Sequence, residues 1–429
     1  MRTPASLAEW LEYIERIHPR NIDLGLDRVI SVKQCLGLNL DTPIVTVAGT
    51  NGKGSTCAML ESILLAAGHR VGLYTSPHLL RYNERVRIGG LAVDDDRLCR
   101  AFARVEAARR DVALTYFEFG TLAAWVLFSE APLDALVLEV GLGGRLDAVN
   151  ALDADCAIVT SIGIDHTEFL GDSREQIGME KAGIFRPCRP AIVADPCPPA
   201  ALLRHAREIG ADLQCLGQTF GYVSELADGW TFWGRRGRRS GLAHPALRGD
   251  YQLQNASGCL AAIDVLTDRL PVDVDSVRKG LTEVRWPGRF QVIPGPPTVV
   301  LDVAHNPQAA EALARNLDAM GDFPATHAVF GMLGDKDIAA VCRAMQGRVT
   351  NWYAATLRTA RGAGAAALAQ GIRSTDARVE VQQFESPLAA FDAACGRARE
   401  NDRIVVFGSF YTVADVMAAL SPRGGLRAR

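Results

Sequence analysis

Residues Val45 to Thr56 read VTVAGTNGKGST, a short apolar β-branched run, a glycine-rich turn carrying Lys53, and then text suited to a helix. Backbone N–H groups exposed by Gly49, Gly52 and Gly54, with a helix N-terminus behind them, form a cradle for an anion. Lys53 completes it as a point charge for the β- and γ-phosphates of a nucleoside triphosphate. The run departs from the strict G-x-x-x-x-G-K-[ST] pattern, because Val47 stands where the first glycine belongs and Gly54 falls between Lys53 and Ser55. A tight structural turn is the plain alternative; the order strand, loop, lysine, helix favours phosphate.

Outward from this turn, β-branched runs alternate with helical stretches: RVGLYTS, a helix near Asp94 to Arg110, LDALVLEVG, DCAIVTSIG, PAIVADP and a helix near Pro199 to Ile209. Such alternation predicts an α/β fold, a P-loop-containing mostly parallel sheet with helices on both faces. Between Glu283 and Pro297, Pro287, Gly288, Pro294, Gly295, Pro296 and Pro297 punctuate the chain, and the boundary is placed there, giving domains 1–289 and 290–429. Beyond it TVVLDVAHN, THAVFGML, NWYAATL and DRIVVFGSF predict a smaller Rossmann-like α/β domain. The stretch GWTFWGRRGRRSGL reads as a β-hairpin whose four arginines form a solvated tip.

Among 429 residues, 46 Lys and Arg stand against 49 Asp and Glu, a net charge of −3. That balance offers no field to draw in nucleic acid or an anionic membrane, so recognition is expected to be local. Glu9, Glu12, Glu15 and Arg16 interrupt any signal-peptide core, and no uninterrupted apolar run approaches the roughly 18 residues of a membrane span. Ten cysteines without a C-x-x-C pair fit reduced, mostly buried thiols in the cytoplasm.

Polar residues gather just after the apolar strands: Ser76 and His78, Glu139, and Asp165 with His166. In an open parallel sheet ligands bind outside the carboxyl ends of the strands, so these side chains are expected to share the crevice of the phosphate turn. Glu139, ending LDALVLEV, would be costly to bury without a cation or hydrogen-bond partners. Mg²⁺ takes oxygen ligands and bridges protein groups to phosphates, which suits Glu139 and Ser76, with His166 as a less typical ligand.

GTNGKGST, YTSPHL, EVGLGGRLDAVN, SIGIDHTEFLG, EKAGIF, WPGRFQ, LDVAHNP and GMLGDKD, in this order, resemble the folylpolyglutamate synthase/dihydrofolate synthase family of the Mur-ligase superfamily, from about Ile22 to Val413. The resemblance implies an ATP-dependent ligase that forms an amide between a carboxylate and the amine of glutamate through an acyl phosphate. Thr50, Asn51, Gly52, Lys53, Gly54 and Ser55 would then form the phosphate loop. Ser76, Glu139 and His166 would hold magnesium, two ions being expected, and Lys181 would be carbamylated to serve as a further ligand; a surface lysine paired with Glu180 is the plain alternative. Asn255, Arg289, Asp302 and His305 would contact ATP, with Arg289 at an interdomain hinge over Trp286 to Pro297.

For a pterin the resemblance points to Ile22, Asp23 and Leu24, to Thr115, Tyr116, Phe117 and Glu118, and to Leu146, Asp147 and Ala148. A flat heteroaromatic needs an apolar slot, an aromatic such as Phe117 or Tyr116 to stack on, and a carboxylate for its ring donors; core packing competes for both aromatics. Val149 stands where many relatives have threonine. The substrates implied are ATP, L-glutamate, dihydropteroate and reduced folates, handled by a monomer. The competing readings are polyglutamylation alone, a cell-wall precursor ligase, which would need a further N-terminal domain, and a catalytically silent ATP-binding scaffold.

Overall fold

The computed structural model describes residues 4–20, 22–225 and 229–420, and divides into two compact units, Met1–Ala246 with Gln252–Arg285, and Leu247–Tyr251 with Trp286–Arg429. The larger unit opens with helices α1 (Leu7–Ile17) and α2 (Asp27–Leu36), then β1 (Ile44–Ala48), α3 (Lys53–Ala66), β2 (Val71–Tyr74), β3 (Val86–Ile88), β4 (Leu91–Ala92), α4 (Asp95–Arg109), α5 (Tyr116–Ser129) and β5 (Ala135–Glu139). It continues through β6 (Cys156–Val159), α6 (Thr167–Leu170), α7 (Arg174–Ala182), β7 (Pro190–Val193), α8 (Ala200–Glu208) and β8 (Asp212–Cys215). Strands β9 (Gly221–Glu225), β10 (Gly229–Gly234) and β11 (Gly237–Leu242) and helices α9 (Tyr251–Leu266) and α10 (Val274–Glu283) complete it.

The main sheet has the order β4-β3-β2-β5-β1-β6-β7-β8. Six strands from β2 to β8 run parallel, and β3 with β4 adds an antiparallel hairpin at one edge. The chain leaves β1 toward β2 on one side and leaves β6 toward β7 on the other, so the connections diverge between β1 and β6. That divergence opens a crevice at the carboxyl ends of these two strands, where the turn after β1 lies.

Helix α5, YFEFGTLAAWVLFS, is apolar around its circumference and almost wholly buried, so tertiary packing rather than an amphipathic face holds it. Trp10, Phe102, Phe119, Trp125 and Phe128 pack with it into one core cluster, to which β5 contributes Leu136 and Leu138. A second cluster takes Ala157 and Val159 of β6 and Ile177, Phe185 and Leu202 around α7 and α8. This period of two along the strands is what a sheet covered on both faces requires.

The expected hairpin is present as β10 and β11 in a three-stranded antiparallel sheet, and Arg235, Arg236 and Arg238 are exposed on it, while Arg239 is half-buried. Arg235 pairs with Asp212, Arg236 with Asp268 and Arg239 with the buried Asp264. The thiols depart from expectation. All ten cysteines are free, yet only Cys57, Cys156, Cys215, Cys259 and Cys342 are buried.

The smaller unit carries β12 (Gln291–Ile293), β13 (Thr298–Leu301), α11 (Pro307–Ala319), β14 (Thr326–Phe330), α12 (Ile338–Ala344), β15 (Asn351–Ala355), α13 (Ala365–Thr375), β16 (Val381–Phe384), α14 (Pro387–Arg397), β17 (Arg403–Phe407) and α15 (Phe410–Leu420). Its sheet order is β12-β13-β17-β14-β15-β16, parallel except for β12. No helix among the described residues is long and apolar enough to cross a membrane.

Helices α3 and α10 meet at a glycine: a Cβ on Gly280 would lie 2.4 Å from Ile63 Cα and 2.7 Å from its nitrogen. Backbone cannot yield as a side chain would, so Gly280→Ala should cost about 1–3 kcal/mol and lower the unfolding temperature in calorimetry. Gly396→Ala, inside α14 with open space around the new methyl, should raise it.

Candidate active site

The phosphate turn is fastened on both sides. Thr50 N–H donates to the Ser161 carbonyl at 2.6 Å, and the Thr50 hydroxyl exchanges hydrogen bonds with the backbone of Gly163 at 3.0 and 3.1 Å. The Thr160 and Ser161 hydroxyls donate to the Asn51 carbonyl at 2.6 and 3.0 Å, and Asn51 N–H donates to Ser161 Oγ at 3.2 Å. Thr160 and Ser161, just after β6, were not among the expected site residues; their position at a strand end in the same sheet is the signal that could have found them.

Room for this approach comes from glycine. A Cβ on Gly49 would fall 1.9 Å from Thr160 Oγ1, and one on Gly52, whose φ is +88°, would fall 2.5 Å from Asn255 Oδ1. Asn255 on α9 thus lies directly against the turn, and its amide donates to Gln252, whose own amide donates to Ser55 Oγ at 3.4 Å.

Two ammonium groups meet here. Lys53 Nζ and Lys181 Nζ each donate to the Gly49 carbonyl at 3.0 Å. Lys181 lies 4% exposed on α7, so it is not the surface lysine of the plain alternative, and Glu180 pairs with Arg145 instead. Burial first, and then Lys53, pull the Lys181 ammonium down to about 7, with Asp165 and Asp147 opposing the shift.

Glu139, 4% exposed at the end of β5, stands in register with Val47 of β1 and accepts Ser76 N–H at 3.0 Å. That bond brings the ends of β2 and β5 together. His166 adopts a left-handed conformation, φ 52°, with its N–H donating to Asp165 Oδ1 at 2.8 Å. No three His, Cys, Asp or Glu side chains among the described residues cluster as a ready metal cage. The donor set here, a carboxylate beside a serine, instead fits a hard cation that takes much of its shell from phosphate and water.

The three segments expected around a pterin also converge. Gly25 N–H donates to the Leu146 carbonyl at 3.3 Å, and Arg28 spans Asp23 and Glu118. Thr115 and Glu118 form a capping box at the start of α5. Glu118 is buried, with both oxygens engaged by Arg28 and one also by Thr115 N–H. It therefore braces the segment, a role the sequence did not suggest.

Tyr116 and Phe117 are half-buried, so neither is sealed into the core; a Cβ on Gly141 would lie 2.6 Å from the Phe117 ring. Asp147, 3% exposed, accepts Leu142 N–H on one oxygen and Val149 N–H on the other, and burial raises its carboxyl to about 7. Val149 is fully buried among apolar groups, where no hydroxyl is needed.

Within the smaller unit, Asp302 accepts Phe290 N–H at 2.8 Å and Ala304 N–H at 2.7 Å, and burial raises its carboxyl to about 6 against the pull of Arg289. The Arg289 guanidinium lies 4.9 Å above the Phe410 ring, and the His305 ring is 6.0 Å from it. Phe410, at the end of DRIVVFGSF, thus touches both Arg289 and His305, two expected residues that the chain separates. Asn306 caps α11, its Oδ1 accepting Ala309 N–H at 2.9 Å.

Residues 47–206 match the Mur ligase middle domain, and residues 288–410 match the Mur ligase glutamate ligase domain. The dihydrofolate synthase/folylpolyglutamate synthase of Escherichia coli K12 is 46% identical over 426 residues, 98% of each chain. The chain belongs to the dihydrofolate synthase/folylpolyglutamate synthase family. A solved structure of E. coli FolC in complex with DHPP and ADP superposes with a TM-score of 0.93 at 45% identity, covering 99% of both chains. A bifunctional folylpolyglutamate synthase/dihydrofolate synthase with Mn, AMPPNP and L-glutamate bound gives 0.90 at 44% identity, covering 98% of this chain and all of that one. The family and the α/β class expected from the sequence are therefore those found.

Gly52→Ala should leave the sheet intact but drive a methyl into the Asn255 amide. The expected result is a rise of about tenfold or more in the KM for ATP, a change of about 1.4 kcal/mol, with circular dichroism unchanged.

Proposed function

We propose that this chain joins L-glutamate to dihydropteroate, giving dihydrofolate, and adds further glutamates to the γ-carboxyl of reduced folates, cleaving ATP to ADP and phosphate. It is an ATP-dependent ligase of the family to which it belongs. The observation that carries the reading is the meeting of Lys53 and Lys181 at Gly49 in a turn locked to the strand after it in the sheet.

A carboxylate resists attack by an amine because resonance and charge protect its carbon. Its oxygen first displaces ADP from the γ-phosphorus of ATP, making an acyl phosphate. The deprotonated amine of glutamate then adds to the acyl carbon, and the carbon–oxygen bond to phosphate breaks to leave the amide. The chain's part is to place the two anions in line and offset their repulsion. Lys53 faces the β- and γ-phosphates, the turn's N–H groups from Gly49 to Ser55 grip them, and Asn255, Arg289, Asp302 and His305 contact the nucleotide.

Ser76, Glu139, His166 and a carbamylated Lys181 would hold magnesium, as two ions. When bound, that cation would neutralise phosphate charge and polarise the transferring group. The pterin stacks on Phe117 or Tyr116, with Ile22, Leu24, Leu146 and Ala148 walling the slot. Asp147 is the carboxylate for the ring donors, since each of its oxygens keeps acceptor capacity.

Phosphate release should require glutamate together with either dihydropteroate or tetrahydrofolate. Turnover with the reduced folate alone would reduce the reading to polyglutamylation. Only the neutral amine of Lys181 can capture CO₂, and a position near 7 leaves much of it neutral at pH 7.5. With ¹³C-bicarbonate, a carbamate carbon resonance should therefore grow as pH rises through about 7 and be missing in Lys181→Met.

A further inference from the structure

Arg28, in the first turn of α2, is not among the residues that motif reading selects. Its guanidinium nonetheless touches two of the three segments assigned to the pterin. Nε donates to both Glu118 oxygens at 3.0 and 3.2 Å, and Nη2 lies 3.0 Å from Glu118 Oε1. Nη1 donates to Asp23 Oδ2 at 2.8 Å, and Nη2 to the Asp23 carbonyl at 2.5 Å. One planar group thus ties a loop before α2 to the start of α5, where Thr115, Tyr116 and Phe117 lie.

Each end of the bridge is itself fixed. Glu118 also accepts Thr115 N–H at 2.8 Å, so the guanidinium is coupled to the cap that orients Tyr116 and Phe117. Asp23 additionally lies 3.4 Å from His18 Nε2, and the loop reaches the third segment through Gly25 N–H and the Leu146 carbonyl. Helix α2 has no side-chain cap of its own, its N-cap position being Leu26. The Ile22–Leu24 loop is therefore held through Asp23, by Arg28 with His18 and Arg20 beside it, and through the Gly25 bond.

We propose that Arg28 is a positioning residue for the pterin ring, setting the separation between the Ile22–Leu24 loop and the Tyr116–Phe117 pair and thereby the width of the slot. The inference rests on the reading of these segments as the pterin site. The fork is essential to it. A lysine keeps the charge but has one nitrogen, and cannot span a carboxylate on one side and a carboxylate with its carbonyl on the other. Arginine here supplies geometry more than charge.

The test is steady-state kinetics on Arg28→Lys, which preserves the positive charge, with Asp147→Ala measured alongside. Arg28→Lys should raise the KM for dihydropteroate about tenfold, the scale expected for losing a bidentate charge-assisted pair, while kcat and the KM values for ATP and glutamate stay within about twofold. The double variant Arg28→Ala with Glu118→Gln, which removes the charge of the buried carboxylate together with its guanidinium partner, should show the same split. If dihydropteroate KM rises in Asp147→Ala but not in Arg28→Lys, the positioning role is wrong and the pterin site stands. Should neither variant move it, the site reading itself fails and this inference with it. A uniform shift of all three KM values with a lowered melting temperature would make Arg28 a stabilising residue only and overturn the proposal.

Discussion

Two positive charges converging on one carbonyl oxygen set the terms for the rest of this site. Lys53 and Lys181 both reach the Gly49 oxygen at 3.0 Å, and the part-buried Lys53 disfavours the charged form of the buried Lys181 beside it. One relief is loss of a proton, and burial already draws Lys181 down to about 7. The other is an anion placed between them. On the proposed reading, an arrangement that disfavours its own positive charge is complementary to a polyanionic phosphate.

Holding that arrangement requires a turn that cannot relax away from the charge. The bonds from Thr50 and Asn51 to Thr160, Ser161 and Gly163 do this. They run between neighbouring parallel strands whose connections leave in opposite directions, so the crevice stays open above them. Glycine at 49 and 52 lets the backbone come this close. The fold's contribution is therefore a turn fixed by hydrogen bonds between two neighbouring strand ends, in a sheet packed on both faces.

Much of this was legible in the sequence because it is local or periodic. The order strand, glycine turn, lysine, helix is contiguous from Val45 to Thr56, and strand ends mark where polar side chains must gather. What escaped depends on partners far apart in the chain. Arg28 and Glu118 are 90 residues apart, and nothing in either neighbourhood announces the other. The ion pairs of the exposed hairpin arginines were hidden for the same reason: Asp212 and Asp268 lie 23 and 32 residues from their partners. The burial of Glu118 was invisible too, because T-Y-F-E at a helix start serves equally as a cap or as a ligand contact, and only packing decides between them.

Asp147 and Lys181 are linked in a way that neither residue shows alone. Burial displaces both toward neutrality, the acid upward and the amine downward, to about 7 in each case; Asp147 favours the charged form of Lys181, and Lys53 favours the charged form of Asp147. On the proposed reading, a ring donating to Asp147 would stabilise the carboxylate, and the carboxylate in turn favours charge on Lys181. Conversion of Lys181 to a carbamate would reverse that sign, replacing a cation with an anion and pressing Asp147 toward its protonated form. The proposed pterin end and the proposed phosphate end would then share one electrostatic balance, carried through groups at the ends of neighbouring strands.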